Sequence, residues 1–322
     1  MSRRGWALFA AMCVIWGIPY LLIKVAVRDL SPATLVFLRT TTGAALLVPI
    51  AALRGELRPL LPRWRLLLVY TTVEIALPWV LLSDAETRLS SSLSGLLIAA
   101  VPLMAAVLAT LAGRDRLDAR RVAGLLIGVA GVAALLGVDV GGGDWRAAGE
   151  IALVDAGYAV GSLMIGMQLS NLPAMGVVAG SLLVTAVAYA PVGLTHLPHG
   201  MPAANVLAAV AALGVICTAL AFLVYFALIA EAGPVRATVI TYVNPAVAVL
   251  LGVALLSERF TAGTAVGFVL IIAGSVLATR RRPEERAAMV QAPAVSPPTP
   301  PEPRTPPHPH APASPAPPRR AR

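Results

Sequence analysis

Arg39, Glu74 and Asp155 each stand alone inside a long apolar stretch of the chain. Isolated charges in such surroundings are costly, and they persist where they bind something, move a proton or pair with one another. Spacing adds partners to two of them. Tyr70 and Glu74 are four residues apart, and Asp155, Tyr158 and Ser162 follow one helical stripe. Trp16, Tyr20 and Lys24 repeat at intervals of four, which on a helix makes an aromatic surface ending in a cation. That surface suits a substrate with an apolar body and a carboxylate or another anion. Trp16, Tyr20, Lys24, Arg39, Tyr158 and Tyr242 are therefore the candidate substrate-binding residues, and Glu74 and Asp155 the candidate proton-coupling residues. One acid can pair with Arg39 and stay ionised, while the other, deprived of water, is free to take up and release a proton. A purely structural ion pair between Arg39 and one acid is the alternative.

The elements that must hold these residues follow from composition. Of 322 residues, 58% are hydrophobic and 13% are charged, against about 25% charged in an ordinary soluble domain. This excludes a soluble globular enzyme and indicates an all-α integral membrane protein. Apolar runs of about 20 residues give ten transmembrane helices: Trp6–Val27, Pro32–Leu53, Arg65–Leu82, Ser92–Ala112, Val122–Val138, Gly149–Leu169, Ala174–Leu194, Ala203–Ala230, Ala237–Leu256 and Ala262–Thr279. The run from Ala203 is long enough to contain a bend. At the helical rise per residue, Arg39, Glu74 and Asp155 lie roughly 10 to 14 Å from the nearest helix end, near mid-depth. Lys24 lies only roughly 6 Å from its end and is shallow enough to snorkel.

Basic residues divide across the alternate ends of these helices. One side collects 15, from Arg3 and Arg4 through Arg120, Arg121 and Arg236 to Arg286, and the other holds Arg28, Arg88, Arg146 and Arg259. Under the positive-inside rule both termini are cytoplasmic and the protein sits in the plasma or inner membrane. The net charge of +9 is thus a topology signal, and no nucleic-acid partner is expected. The arginine pair near the start loosely matches an export signal, but the following apolar run is longer than a signal core and is read as a retained helix. Cys13 and Cys217 lie far apart in apolar runs, so neither a disulfide nor a zinc site is indicated. His196 and His199 stand alone in a loop, and no metal or cofactor is expected. Residues 281–322 are rich in proline and form an extended or disordered cytoplasmic tail.

A shift of 143 residues places Pro102 on Pro245, Asp115 on Glu258, Arg116 on Arg259, Gly124 on Gly267 and Gly131 on Gly274. Five helices per copy is an odd number, so the second copy enters the membrane from the opposite side. Such inverted repeats are a recurring device of secondary transporters. With these blocks, the run Trp16, Gly17, Ile18, Pro19, Tyr20, then Lys24, Pro32, Arg39 and Gly233, the chain resembles the drug/metabolite transporter superfamily, in particular its EamA-like ten-helix members, over residues 5–279. The resemblance implies one repeat over residues 5–139, a second over 148–280, and transport of an amino acid, metabolite, nucleotide precursor or drug. Asp115 replaces the family's usual glutamate.

Pro102 and Pro245 interrupt the fourth helix of each repeat, freeing carbonyls where transporter sites form. Gly124 with Gly128, and Gly263 with Gly267, are close-packing patterns that serve contacts within the chain or a homodimer. The expected function is secondary transport of a small molecule, with export the expected direction, by alternating access within a lipid bilayer. No ATP-binding loop motif is present. A membrane-embedded enzyme or a transport-inactive scaffold is the rival reading; against the enzyme, no histidine falls within a span.

Overall fold

The structure, a computed structural model, describes residues 1–113, 118–139 and 144–279. Asp115, Arg116 and the tail lie outside these residues. Among the described residues nine helices are long and apolar enough to cross a membrane: α1 (Arg3–Ala26), α2 (Pro32–Leu53), α3 (Arg58–Arg88), α4 (Ser91–Leu111), α5 (Ala119–Gly137), α6 (Trp145–Leu169), α7 (Ala174–Thr195), α8 (Ala204–Ala232) and α10 (Ala262–Thr279). The tenth, α9 (Ile240–Leu256), is apolar but shorter. A separate turn of helix, Pro234–Ala237, precedes it.

Local chemistry starts several of these helices. Ser31 accepts a hydrogen bond from the Thr34 amide at 3.2 Å, with Pro32 in the first turn of α2, and Ser90 does the same for Leu93 at the start of α4, at 3.1 Å. Asp144 caps α6 through the Ala147 amide at 3.0 Å. These side chains satisfy amide donors that a helix cannot satisfy within itself.

The two halves pair equivalent helices: α2 packs on α7, α4 on α9 and α5 on α10, while α1 runs along α8 as α6 runs along α3. This is the arrangement of two inverted five-helix repeats about a pseudo-two-fold axis. The α5–α10 contact is made backbone to backbone. A Cβ on Gly124 would sit 2.6 Å from the Ala278 nitrogen, one on Gly131 2.8 Å from the Ile271 nitrogen, and one on Gly274 2.5 Å from the Gly128 nitrogen. Gly124, Gly128 and Gly267 thus make close contacts within the chain.

Several helices are irregular. α1 breaks between Ile15 and Pro19, and α4 between Ile98 and Val101, where Pro102 opens the second piece. Pro245, by contrast, lies inside a continuous α9. Pro102 thus stands at a break in its helix, while the helix around Pro245 is unbroken. Beside Pro245, the Asn244 amide reaches the carbonyls of Cys13 at 3.1 Å and Ile240 at 3.0 Å. π-helical turns interrupt α3 at Thr72–Ala76 and α8 at Val215–Leu220, and another ends α6 at Ile165–Leu169. The long run from Ala203 carries its irregularity at the second of these. α3 also runs on to Arg88 rather than stopping at Leu82, since no helix breaker intervenes and its last carbonyls find partners.

Candidate functional site

The centre of the bundle is organised around Arg39, which is 8% exposed. Its guanidinium carbon lies 3.7 Å from the centroid of the Trp79 ring on α3. Its Nε donates to the Thr218 hydroxyl on α8 at 3.0 Å. That hydroxyl donates in turn to the Leu213 carbonyl at 2.8 Å, five residues back, a reach created by the π-turn. One cation thus ties together α2, α3 and α8. Tyr158 on α6 lies against Trp79 and close to Arg39, and Tyr20 on α1 closes the group beside Tyr158. The desolvated cation–aromatic contact is worth about 2 kcal/mol.

Among the described residues no ion pair joins Arg39 to Glu74 or Asp155. Asp155 is 4% exposed, and its Oδ1 is buried without a hydrogen-bond partner. Glu74 stands on the π-turn of α3, its Oε2 likewise unpartnered. Its carboxylate presses against Gly161 of α6 so closely that any Cβ there would collide with it. Tyr70, Tyr158 and Tyr225 surround Glu74. A third acid that sequence reasoning missed is Glu86, 0% exposed, with both carboxylate oxygens buried and unpartnered. It was missed because α3 was expected to end at Leu82. Continuing the helix would have placed Trp79, Ser83 and Glu86 on one stripe.

The remaining candidates scatter. The break in α1 separates the expected stripe: Trp16 turns to α8, 4.7 Å from Tyr225 and 6.0 Å from Phe222 between ring centroids, whereas Tyr20 lies in the core. Phe222 stacks on Phe226 at 6.2 Å, and Phe226 lines a cleft of about 410 Å³ with Arg54, Glu56 and Met175. Lys24 spends its ammonium on two main-chain carbonyls, Glu86 at 2.6 Å and Leu89 at 2.7 Å. Tyr242 sits apart from the Arg39 group, in an apolar groove between α9 and α10 with Phe268 and Ile272.

At the end of the bundle holding Lys24, two polar ties join the repeats. Glu258 of the second half caps α4 of the first, accepting from the amides of Ser91 at 2.8 Å and Ser92 at 2.9 Å and from both hydroxyls. Arg88 of α3 bonds Asp84 at 2.9 Å, Asp144 at 2.8 Å and Glu150, and Arg146 joins Glu150 at 2.9 Å and Asp84 at 3.2 Å. Sequence reasoning saw Glu258 only as a repeat marker, because nothing in its own neighbourhood names Ser91.

Pseudo-symmetric halves enclosing a desolvated cation, aromatic rings and unpaired carboxylates define a multi-pass membrane transporter. The model of the EamA-like transporter family matches residues 3–137 and again residues 149–280, and the chain belongs to that family. It is 30% identical over 299 residues to the uncharacterized inner membrane transporter YedA of Escherichia coli (strain K12), covering 90% of this chain and 94% of the relative. An uncharacterized transporter of Archaeoglobus fulgidus is 24% identical over 288 residues, covering 87% of this chain and 100% of the relative. The uncharacterized transporter YvbV of Bacillus subtilis (strain 168) is 24% identical over 295 residues, covering 90% and 96%. A crystal structure 23% identical to this chain, covering 91% of it and 100% of the solved chain, shares the fold with a TM-score of 0.62.

Proposed function

We propose that the protein is a secondary transporter that exports a small metabolite, amino acid or drug-like molecule by alternating access between its repeats, residues 5–139 and 148–280. The observation that carries this reading is the Arg39 group, a cation buried among aromatic rings where helices of both repeats meet. The bond to Thr218 uses only Nε, so the fork of Nη groups is the edge a substrate carboxylate would meet. Trp79, Tyr20 and Tyr158 would cover the apolar body. Lys24 has its ammonium on carbonyls, which makes Arg39 the better anion ligand in this conformation.

Both termini are cytoplasmic in this reading, so the end tied by Glu258 and Arg88 faces outward. The cleft lined by Arg54, Glu56 and Phe226 then opens inward. Glu74 or Asp155 couples transport to protons, since each carries an unpartnered buried oxygen and neither is neutralised by Arg39. Comparing metabolites inside and outside cells with and without the protein would identify the cargo. Export of no compound at confirmed membrane abundance would remove the reading.

A further inference from the structure

Glu86 and Lys24 form a pair whose contacts are unusual for two opposite charges. The ammonium lies 2.6 Å from the main-chain carbonyl of Glu86, yet both oxygens of the Glu86 side chain are without a partner in a fully buried position. An ionised carboxylate is a stronger acceptor for an ammonium than a carbonyl is. Leaving it unpaired while the ammonium takes the carbonyl of the same residue has a high desolvation cost. A neutral carboxyl bears that isolation at a lower cost than an ionised one does.

We propose that Glu86 is a proton-binding site of the transport cycle, and that Lys24 responds to its charge by moving between the main-chain carbonyls of Glu86 and Leu89 and the Glu86 carboxylate. This rests on the transport reading above and adds Glu86 to the acids considered there. When the proton leaves the carboxyl for water, the negative charge left behind is met by Lys24, which keeps its own proton. The titratable and charged groups around Glu86 are Tyr20 and Lys24 on α1, Arg39 on α2 and Glu258 beyond α9. Asp155 and Tyr158 on α6 lie across Tyr20.

The exchange has a consequence beyond the pair. Glu86 and Leu89 supply the carbonyls at the end of α3, and the next residue, Ser90, caps α4. Ser91 and Ser92 then hold Glu258 of the other repeat. An ammonium that leaves these carbonyls releases the α3–α4 turn at the point where the two repeats are tied. Proton binding at Glu86 is thereby linked to the outer contact between the halves.

Lys24 is the sole lysine of the chain, so incorporation of ¹⁵N-lysine into the full-length protein gives one side-chain ammonium resonance. In nanodiscs of wild-type protein that resonance is expected to shift as pH is raised, and the shift should be lost in Glu86→Gln and kept in Glu74→Gln and Asp155→Asn. An ammonium that shifts equally in Glu86→Gln would overturn the proposal. So would a Glu86→Gln protein too unstable to purify, because a neutral amide of the same shape mimics the protonated acid. Transport by the same proteins keeps the two readings apart. A Glu86-dependent shift in a protein that moves no substrate supports the proton site and defeats the transport reading, whereas active transport with a Glu86-independent shift does the reverse.

Discussion

Arg39 and Trp79 are stacked, the guanidinium carbon 3.7 Å above the centre of the ring, and this contact joins α2 to α3 in the middle of the bundle. A planar cation is needed for it. The ammonium of lysine keeps the charge and loses both the stacking plane and the Nε that reaches Thr218.

Arg39→Lys is therefore expected to weaken substrate binding by about tenfold, the equivalent of about 1.4 kcal/mol, when compared at equal membrane abundance. Transport rates across a range of substrate concentrations in proteoliposomes check this. An unaltered apparent affinity would place the substrate away from Arg39.

The acids separate by function. Replacing the coupling residue, Glu74→Gln or Asp155→Asn, should abolish uphill transport driven by an imposed pH gradient while sparing exchange of substrate across the membrane. The other replacement should leave both activities. Wild-type transport that ignores the pH gradient, with membrane potential clamped, would return both acids to structural roles.

Both termini should report a cytoplasmic location in fusions to enzymes or fluorophores active on one side of the membrane only. The expectation rests on the unequal division of arginine between the two sets of helix ends. A C-terminus on the far side would contradict the orientation, and with it the outward placement of Glu258.

Gly274→Val should destabilise the protein by about 3 kcal/mol, the upper range for an overpacked interior. Its added atoms would meet the backbone of Gly128, which has no side-chain rotamer with which to retreat. Thermal unfolding in detergent measures the effect, and a variant as stable as wild type would show that α5 and α10 are not in this contact.

Much of the fold is written in features that act locally or recur. Apolar length marks the spans, and the glycines spaced seven apart in α5 and α10 mark the helices that meet closely. Arg39, Glu74 and Asp155 are visible as charges in the wrong solvent. The Arg39 partners were not legible: Thr218 and Trp79 are ordinary residues until a π-turn in α8 and the pairing of distant helices bring them together. Glu86 was hidden by a boundary set at the first polar residues after Leu82. In the fold those residues remain helical, because Lys24 and the Arg88 ion pairs satisfy them. Helix ends are decided by such distant partners more than by local sequence.

The α5–α10 seam bears on how the halves can travel. Side chains between helices act as a compliant layer whose rotamers adjust as surfaces slide. Here that layer is interrupted, since Gly124, Gly131 and Gly274 bring peptide groups of one helix directly onto those of the other, with Leu135 and Ile271 filling the space beside them. Sliding along the seam would drive carbonyls into amides, while a small rotation about it leaves the spacing nearly constant. In the alternating-access reading proposed above, the seam would serve as an axle, and the displacement that opens one face or the other would grow with distance from it.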